Sequence, residues 1–280
     1  MASSSPSSTE AAASVPPGAA APGAEDILDV LGRSHGADAD IAAFRRHPVV
    51  FADRMDALRF AFDEADAQTG LEFGVFRGDS IRALAVHAPH ARFVGFDSFV
   101  GLPEPWRRSE TSVYDAGHFA VDAPPLTPRN VRLVVGFFAD TLGPWLERET
   151  APIRFAHIDC DLGSATAEVL ERLGPQLAPD AVLVFDELCD WEESGVYPNW
   201  PEGEWRALLD WTARTGRRWR ILGRDRRFSA AIQLDGGPAP DAAALARRAQ
   251  RLWRHRAGGP AFALAEALTR RFHDCAPAWR

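Results

Sequence analysis

Two acidic pairs stand where chemistry is most easily done. Asp159 and Asp161 flank Cys160 at the end of an apolar run over residues 153–158, and Asp186 and Glu187 end a second apolar run over residues 181–185. A helical pattern from about residue 164 to residue 177 joins the runs, which together read as a strand–helix–strand crossover. Such a unit makes its strands parallel neighbours with their carboxyl ends on one edge of the sheet. Ligands of open α/β sheets bind at that edge. Asp159, Asp161, Asp186 and Glu187 are therefore expected around one mouth. Two unit charges about 4 Å apart repel by roughly 4 kcal/mol at an effective dielectric near 20. A divalent cation, a recruited arginine or a held proton would relieve that repulsion. The plainer alternative is four solvated acids at strand ends.

A second constellation lies upstream. A short apolar strand over residues 71–75 contains Glu72 and Gly74, and the turn after it carries Gly78 and Ser80. A pyrophosphate-binding loop needs G-x-G-x-x-G so that backbone amides reach the phosphates. Here the position two after Gly74 is Phe76, whose bulk obstructs that approach and disfavours a nicotinamide-dependent oxidoreductase. Asp97 closes the next apolar run, where a carboxylate can accept hydrogen bonds from both hydroxyls of a ribose. A glycine turn and a ribose acid without a phosphate cradle describe a nucleoside site.

These residues need a scaffold, and the chain supplies alternating patterns for one. Phe51, Met55, Leu58 and Phe62 share a helical face ending before Gly70. Strands follow over 71–75, 92–96, 131–135, 153–158 and 181–185, with helices over 80–87, 141–149 and 164–177 between them. Residues 98–129 read as one long loop, and residues 188–203 as a second loop carrying Trp191, Tyr197 and Trp200. A helix over 204–215 precedes strands at 218–222 and 228–234, joined by a tight basic turn that implies an antiparallel hairpin. The expected architecture is α/β, a doubly wound, mostly parallel seven-stranded sheet with an antiparallel C-terminal hairpin. Residues 1–25 are Ala, Ser and Pro with few large apolar groups, composition that favours a disordered tail. Residues 26–70 form an N-terminal helical segment, 71–235 the main domain, and 236–280 a helical appendage in which Leu245, Ala249, Leu252 and Trp253 make a stripe and a second helix runs to Phe272.

The formal charge of −8 argues against a nucleic-acid partner, since no basic excess exists to release counterions. All basic charge comes from arginine; the chain has no lysine. Cys160, Cys189 and Cys275 make no disulfide framework, and a reduced, cytoplasmic protein is expected. No apolar run is long enough to span a membrane, and the N-terminus lacks the basic and apolar regions of a secretory signal.

From about residue 71 to residue 234 the chain resembles a class I S-adenosylmethionine-dependent methyltransferase, with its Rossmann-like sheet, and within that class the macrocin O-methyltransferase group. The resemblance rests on residues 71–80 (LEFGVFRGDS), 95–103 (GFDSFVGLP), 131–142 (VRLVVGFFADTL), 157–162 (HIDCDL) and 184–187 (VFDE). It implies that Gly74, Gly78 and Ser80, with Glu72 in the strand, serve the methionine part of S-adenosylmethionine, that Asp97 holds the ribose, and that Ser98 lies beside the adenine. It also implies that Asp159, Asp186 and Glu187 hold Mg²⁺. Two departures stand out. Gly163 replaces a usual aromatic residue, which would widen the site or lose a substrate contact, and Phe137 replaces a usual Trp.

The expected reaction is Mg²⁺-assisted methyl transfer to a hydroxyl of a small-molecule acceptor, a sugar or another secondary metabolite. A chelated cation lowers the pKa of the hydroxyl and fixes its position. His118 is the first candidate for general base and Asp161 the second, with Asp159 also at the reacting centre; His157, inside an apolar strand, reads as core. Trp191 and Trp200 are candidate platforms for a sugar or ring. The alternatives are a metal-independent methyltransferase and a non-catalytic nucleoside-binding module, which Gly163 encourages. A homo-oligomer built through the terminal helices is the remaining partner expectation.

Overall fold

A computed structural model describes residues 30–237 and 242–255 of the chain. Before the sheet come α1 (Ile41–Arg45) and α2 (Arg54–Ala65). Asp53 caps α2 by accepting the Met55 amide hydrogen at 2.6 Å, which satisfies one of the helix's free donors. The face read from the sequence is buried at Phe51, Leu58 and Phe62.

The chain then alternates β1 (Thr69–Phe73), α3 (Asp79–His87), β2 (Arg92–Asp97), β3 (Trp106–Arg107), β4 (Val113–Tyr114), β5 (Val131–Val135), α4 (Phe138–Leu146), β6 (Ile153–Ile158), α5 (Gly163–Leu173) and β7 (Leu177–Phe185). The last elements are α6 (Glu204–Thr215), β8 (Trp219–Arg224), β9 (Ala230–Leu234) and α7 (Ala242–Arg254). Seven strands form one sheet in the order β5-β2-β1-β6-β7-β9-β8. All neighbours from β5 to β7 pair in parallel; β9 runs antiparallel to both β7 and β8. This is the doubly wound, mostly parallel sheet with an antiparallel C-terminal hairpin that the alternating pattern predicts. Its central strands are buried on both faces, which is why they read as unbroken apolar runs. One apolar cluster, centred on Leu170, Leu208 and Trp211, fills one side of the sheet, and another, centred on Phe60, Ile81 and Phe93, fills the other.

The order of the strands locates the site. The chain moves outward from β1 through β2 to β5, then returns to β6 beside β1. The direction of winding reverses between β1 and β6, so their carboxyl ends open a crevice where ligands of such sheets bind.

Several boundaries differ from expectation. The loop over 98–129 contains a small antiparallel ladder, β3–β4, too short to leave a periodic signal. Strand β7 starts four residues early, at Leu177, because Pro179 and Asp180 interrupt its apolar pattern without ending it. Helix α4 starts at Phe138 without a capping side chain and carries Pro144 inside it, so neither of its ends is marked in the sequence. Trp191 is core: its ring stacks on Phe44 at 5.6 Å and its indole nitrogen donates to the Ser229 carbonyl. Among the described residues Cys160 and Cys189 are buried and free, and no helix is long and apolar enough to cross a membrane. The expected tail over 1–25, the second appendage helix and Cys275 lie outside the described residues.

Candidate active site

The crevice holds a cavity of about 550 Å³, within the usual size range of small-molecule sites. Gly74 lines it where the chain packs closely against Asp159. Its φ is +91°, and a Cβ there would lie 1.8 Å from the Asp159 carbonyl oxygen, so no other residue fits without moving β6. Just beyond, the Val75 and Phe76 amides both donate to Asp97 Oδ2 at 2.7 Å, and the Phe99 amide donates to Oδ1 at 2.7 Å. Asp97 thus folds the β1 turn over the end of β2, in addition to the hydroxyl-binding role read from the sequence. Phe76 has φ +49°, a left-handed conformation that these two hydrogen bonds hold in place.

Gly74, Asp97, Ser98, Asp159, Asp161, Asp186 and Glu187 all line the cavity. Glu72, Gly78 and Ser80 do not; they sit behind its floor. Glu72 and Ser80 are buried, and Gly78 turns the chain into α3 with φ +77°. The correction for His118 is larger: it is exposed on the β4 loop, tilted against Tyr114 at 4.5 Å and edge-on to Phe119 at 4.4 Å, and is not part of the cavity wall. Asp161 alone of the two candidate bases lines the cavity. The space beside Gly163 is not open either, since a Cβ there would meet the Glu202 carbonyl oxygen at 2.8 Å and that of Gly203 at 3.0 Å. The backbone ahead of α6 fills the place where the resemblance leads one to expect an aromatic ring.

Behind the wall runs a ladder of buried polar groups. The Ser80 hydroxyl donates to Glu72 Oε1 at 2.9 Å; Glu72 Oε2 lies 3.0 Å from His157 Nδ1; and His157 Nε2 lies 3.5 Å from Asp186 Oδ1. The Arg54 guanidinium closes the ladder, paired with Asp186 and 3.8 Å from Asp159. Burial alone would lower the pKa of His157, but its hydrogen bonds with Asp186 and Glu72 outweigh that and raise it to about 10. Asp186 is buried too, yet His157 and Arg54 hold its carboxyl below the usual range. His157 is therefore a charged strut between two acids, not simple core packing. The apolar residues on either side of it hide this role in the sequence. Arg54 is the cation the acid cluster called for. Nothing local marks it, because it comes from α2, before the sheet begins.

The remaining acids lack such relief. Burial, then the charge of Asp186, pushes Asp159 and Glu187 well above the usual carboxylate range. Asp161 rises to about 7 for the same reasons, with Arg108 opposing the rise. Candidate ligand oxygens of Asp159, Asp161 and Glu187 lie within 4.8 Å of one another. Glu187 Oε2 is buried without a hydrogen-bond partner. The Glu187 amide donates to Glu204 Oε2 at 2.9 Å, which fixes the backbone of this acid. An all-oxygen cluster with an orphaned, buried acceptor fits a hard divalent cation such as Mg²⁺. The fitting trio differs from the expected one: Asp161 takes the place of Asp186, which is turned toward His157 and Arg54. Two residues the sequence reading missed, Phe138 and Asp140 at the start of α4, line the side of the cavity next to β2 and β5.

With this geometry in view, residues 71–188 match the family model described as a methyltransferase domain. That span takes in the Gly74 turn, Asp97 and all four acids of the cluster, and its similarity is to methyltransferases. Among solved structures, the calicheamicin methyltransferase CalS11 is 28% identical, with a TM-score of 0.51, over 64% of this chain and 77% of that one. The O-methyltransferase NovP is 20% identical with a TM-score of 0.44, over 64% of this chain and 78% of that one. TomG of Streptomyces achromogenes, solved with S-adenosylmethionine, is 18% identical with a TM-score of 0.43, over 75% and 89%. The latter two likenesses are too remote to bear on function. A comparison with curated proteins gave no match.

Proposed function

We propose that the enzyme methylates a hydroxyl of a small molecule, with S-adenosylmethionine as donor and a divalent cation, Mg²⁺ by its ligand chemistry, held by Asp159, Asp161 and Glu187. The observation that carries this reading is the juxtaposition in one cavity of the Asp97-anchored turn with a cluster of under-compensated acids. Gly74 lines the part of the cavity that would take the methionine of the donor, Asp97 would accept from the ribose, and Asp140 would be available to the adenine amino group. S-adenosylmethionine supplies an activated methyl group: the acceptor oxygen bonds to its carbon as the carbon–sulfur bond breaks. A bound cation would lower the pKa of the hydroxyl. Where no cation is bound, Asp161, on the same cavity wall and with its pKa raised to about 7, would instead take the proton. Phe76, Phe119 and Leu102 exclude water from the same space. That CalS11 is a calicheamicin methyltransferase supports a secondary metabolite as the acceptor class.

The Arg54–Asp186 pair favours a second reading, in which arginine supplies all the positive charge and no metal is needed. Calorimetric titration of S-adenosylhomocysteine, in Mg²⁺ and again in excess EDTA, tests the donor site. Binding in both is expected, and its absence in both would overturn the assignment. Asp159→Asn should keep that binding while losing turnover. Turnover indifferent to EDTA would favour the second reading.

A further inference from the structure

A second group of metal-ligating side chains lies at the opposite edge of the sheet. Asp63 is near the end of α2, which leads into the amino end of β1, and His87 ends α3, which leads toward the amino end of β2. The acid cluster of the cavity sits at the carboxyl ends, so the two groups are on opposite sides of the molecule. The third member, His255, directly follows α7. His87 Nε2 lies 2.8 Å from Asp63 Oδ1, and His255 Nε2 lies 2.8 Å from Asp63 Oδ2. Candidate ligand atoms of all three fall within 4.8 Å of one another.

We propose that Asp63, His87 and His255 form a second metal site, for a borderline transition-metal ion such as Zn²⁺, which clamps α7 onto α2 and α3.

Two imidazole nitrogens and one carboxylate oxygen are the donor set such ions favour, and one that Mg²⁺ does not. Ligand atoms of a tetrahedral zinc site with bonds near 2.0 Å stand about 3.3 Å apart, so small side-chain adjustments would admit the ion. The site is sheltered but not sealed: His255 is buried, and the Asp63 and His87 side chains are 19% and 21% exposed. Asp63 is held below the usual carboxylate range against the effect of burial, by its hydrogen bonds to His255 and His87, and so stays an anion. One opposing charge is near, Arg254, 3.9 Å from Asp63 Oδ2, but its side chain is 66% exposed and free to swing away. Each Nε2 that now faces Asp63 would turn its lone pair to the metal, with the ring hydrogen carried on Nδ1.

The test is calorimetric titration of Zn²⁺ into the metal-stripped, untagged, full-length protein in excess Mg²⁺, with Co²⁺ absorption as a second readout. The expected result is one Zn²⁺ per chain, a higher unfolding midpoint, and visible Co²⁺ bands. His87→Gln, at a partly exposed position that tolerates the change, should weaken binding by roughly tenfold or more and remove those bands. Asp159→Asn should leave both unchanged. The proposal is overturned if no stoichiometric zinc binds, which would leave the cluster a hydrogen-bonded clasp. It is equally overturned if Asp159→Asn abolishes binding while His87→Gln leaves it intact.

Discussion

At the scale of single residues, the site is governed by how its carboxylates find compensation. Asp186 is compensated on both sides, by His157 and Arg54; Asp159 and Asp161 have only partial relief, from Arg54 and Arg108, and burial still raises both of them and Glu187. Arg54 therefore competes with any cation that enters. Its side chain is 41% exposed, so its effect is screened and well short of the full Coulomb energy. Arg54→Met should tighten divalent binding by about tenfold, or ~1.4 kcal/mol. Mn²⁺ followed by electron paramagnetic resonance would measure it, and unchanged or weaker binding would count against the competition. The four acids and Asp97 were legible in the sequence because each ends an apolar run, and strand ends can be read locally. Arg54 and the strut role of His157 were not. Both depend on contacts between residues more than a hundred positions apart, or on a polar group hidden among apolar neighbours, and no local pattern records either.

At the scale of elements, the loop ahead of α6 does two jobs. It packs its backbone against Gly163, and α6 then begins with Glu204, which holds the Glu187 amide. Two effects compete in Gly163→Ala. Alanine in a helix is worth up to about 1 kcal/mol over glycine. Against that, a Cβ 2.8 Å from the Glu202 carbonyl forces backbone to move, at roughly 1–3 kcal/mol. The clash should win, lowering the urea midpoint and, through Glu204 and Glu187, turnover. A more stable and fully active variant would contradict this account. The regular elements of the sheet were readable from period and apolar content. The β3–β4 ladder and the first half of β7 were not, since a two-residue strand has no period and Pro179 looks like a boundary. The candidate base His118 was misplaced for a related reason. Its loop folds back on its own aromatic residues, a tertiary choice that composition does not reveal.

At the scale of the whole molecule, the segment ahead of the sheet is part of the fold and carries a pH-sensitive joint. His47 follows α1, is buried, accepts the Val49 amide at Nδ1 and leaves Nε2 without a partner. Burial lowers its pKa from 6.5 to about 3. The unfolded chain then binds the proton more readily than the folded one. The contribution of His47 is fully present above its unfolded pKa and is lost as pH falls from 6.5 through about 3. Between about pH 7 and pH 4 the native protein should lose roughly 3 kcal/mol more stability than His47→Gln, measured as the difference between urea midpoints. Parallel curves would show that His47 is not held neutral. The ladder Ser80–Glu72–His157–Asp186–Arg54 has a different kind of consequence. It ties α3, β1, β6, the end of β7 and α2 into one unit beneath both halves of the cavity. Two guests pressing on a shared foundation are bound by thermodynamic reciprocity: whatever factor the first adds to the affinity of the second, the second must return to the first.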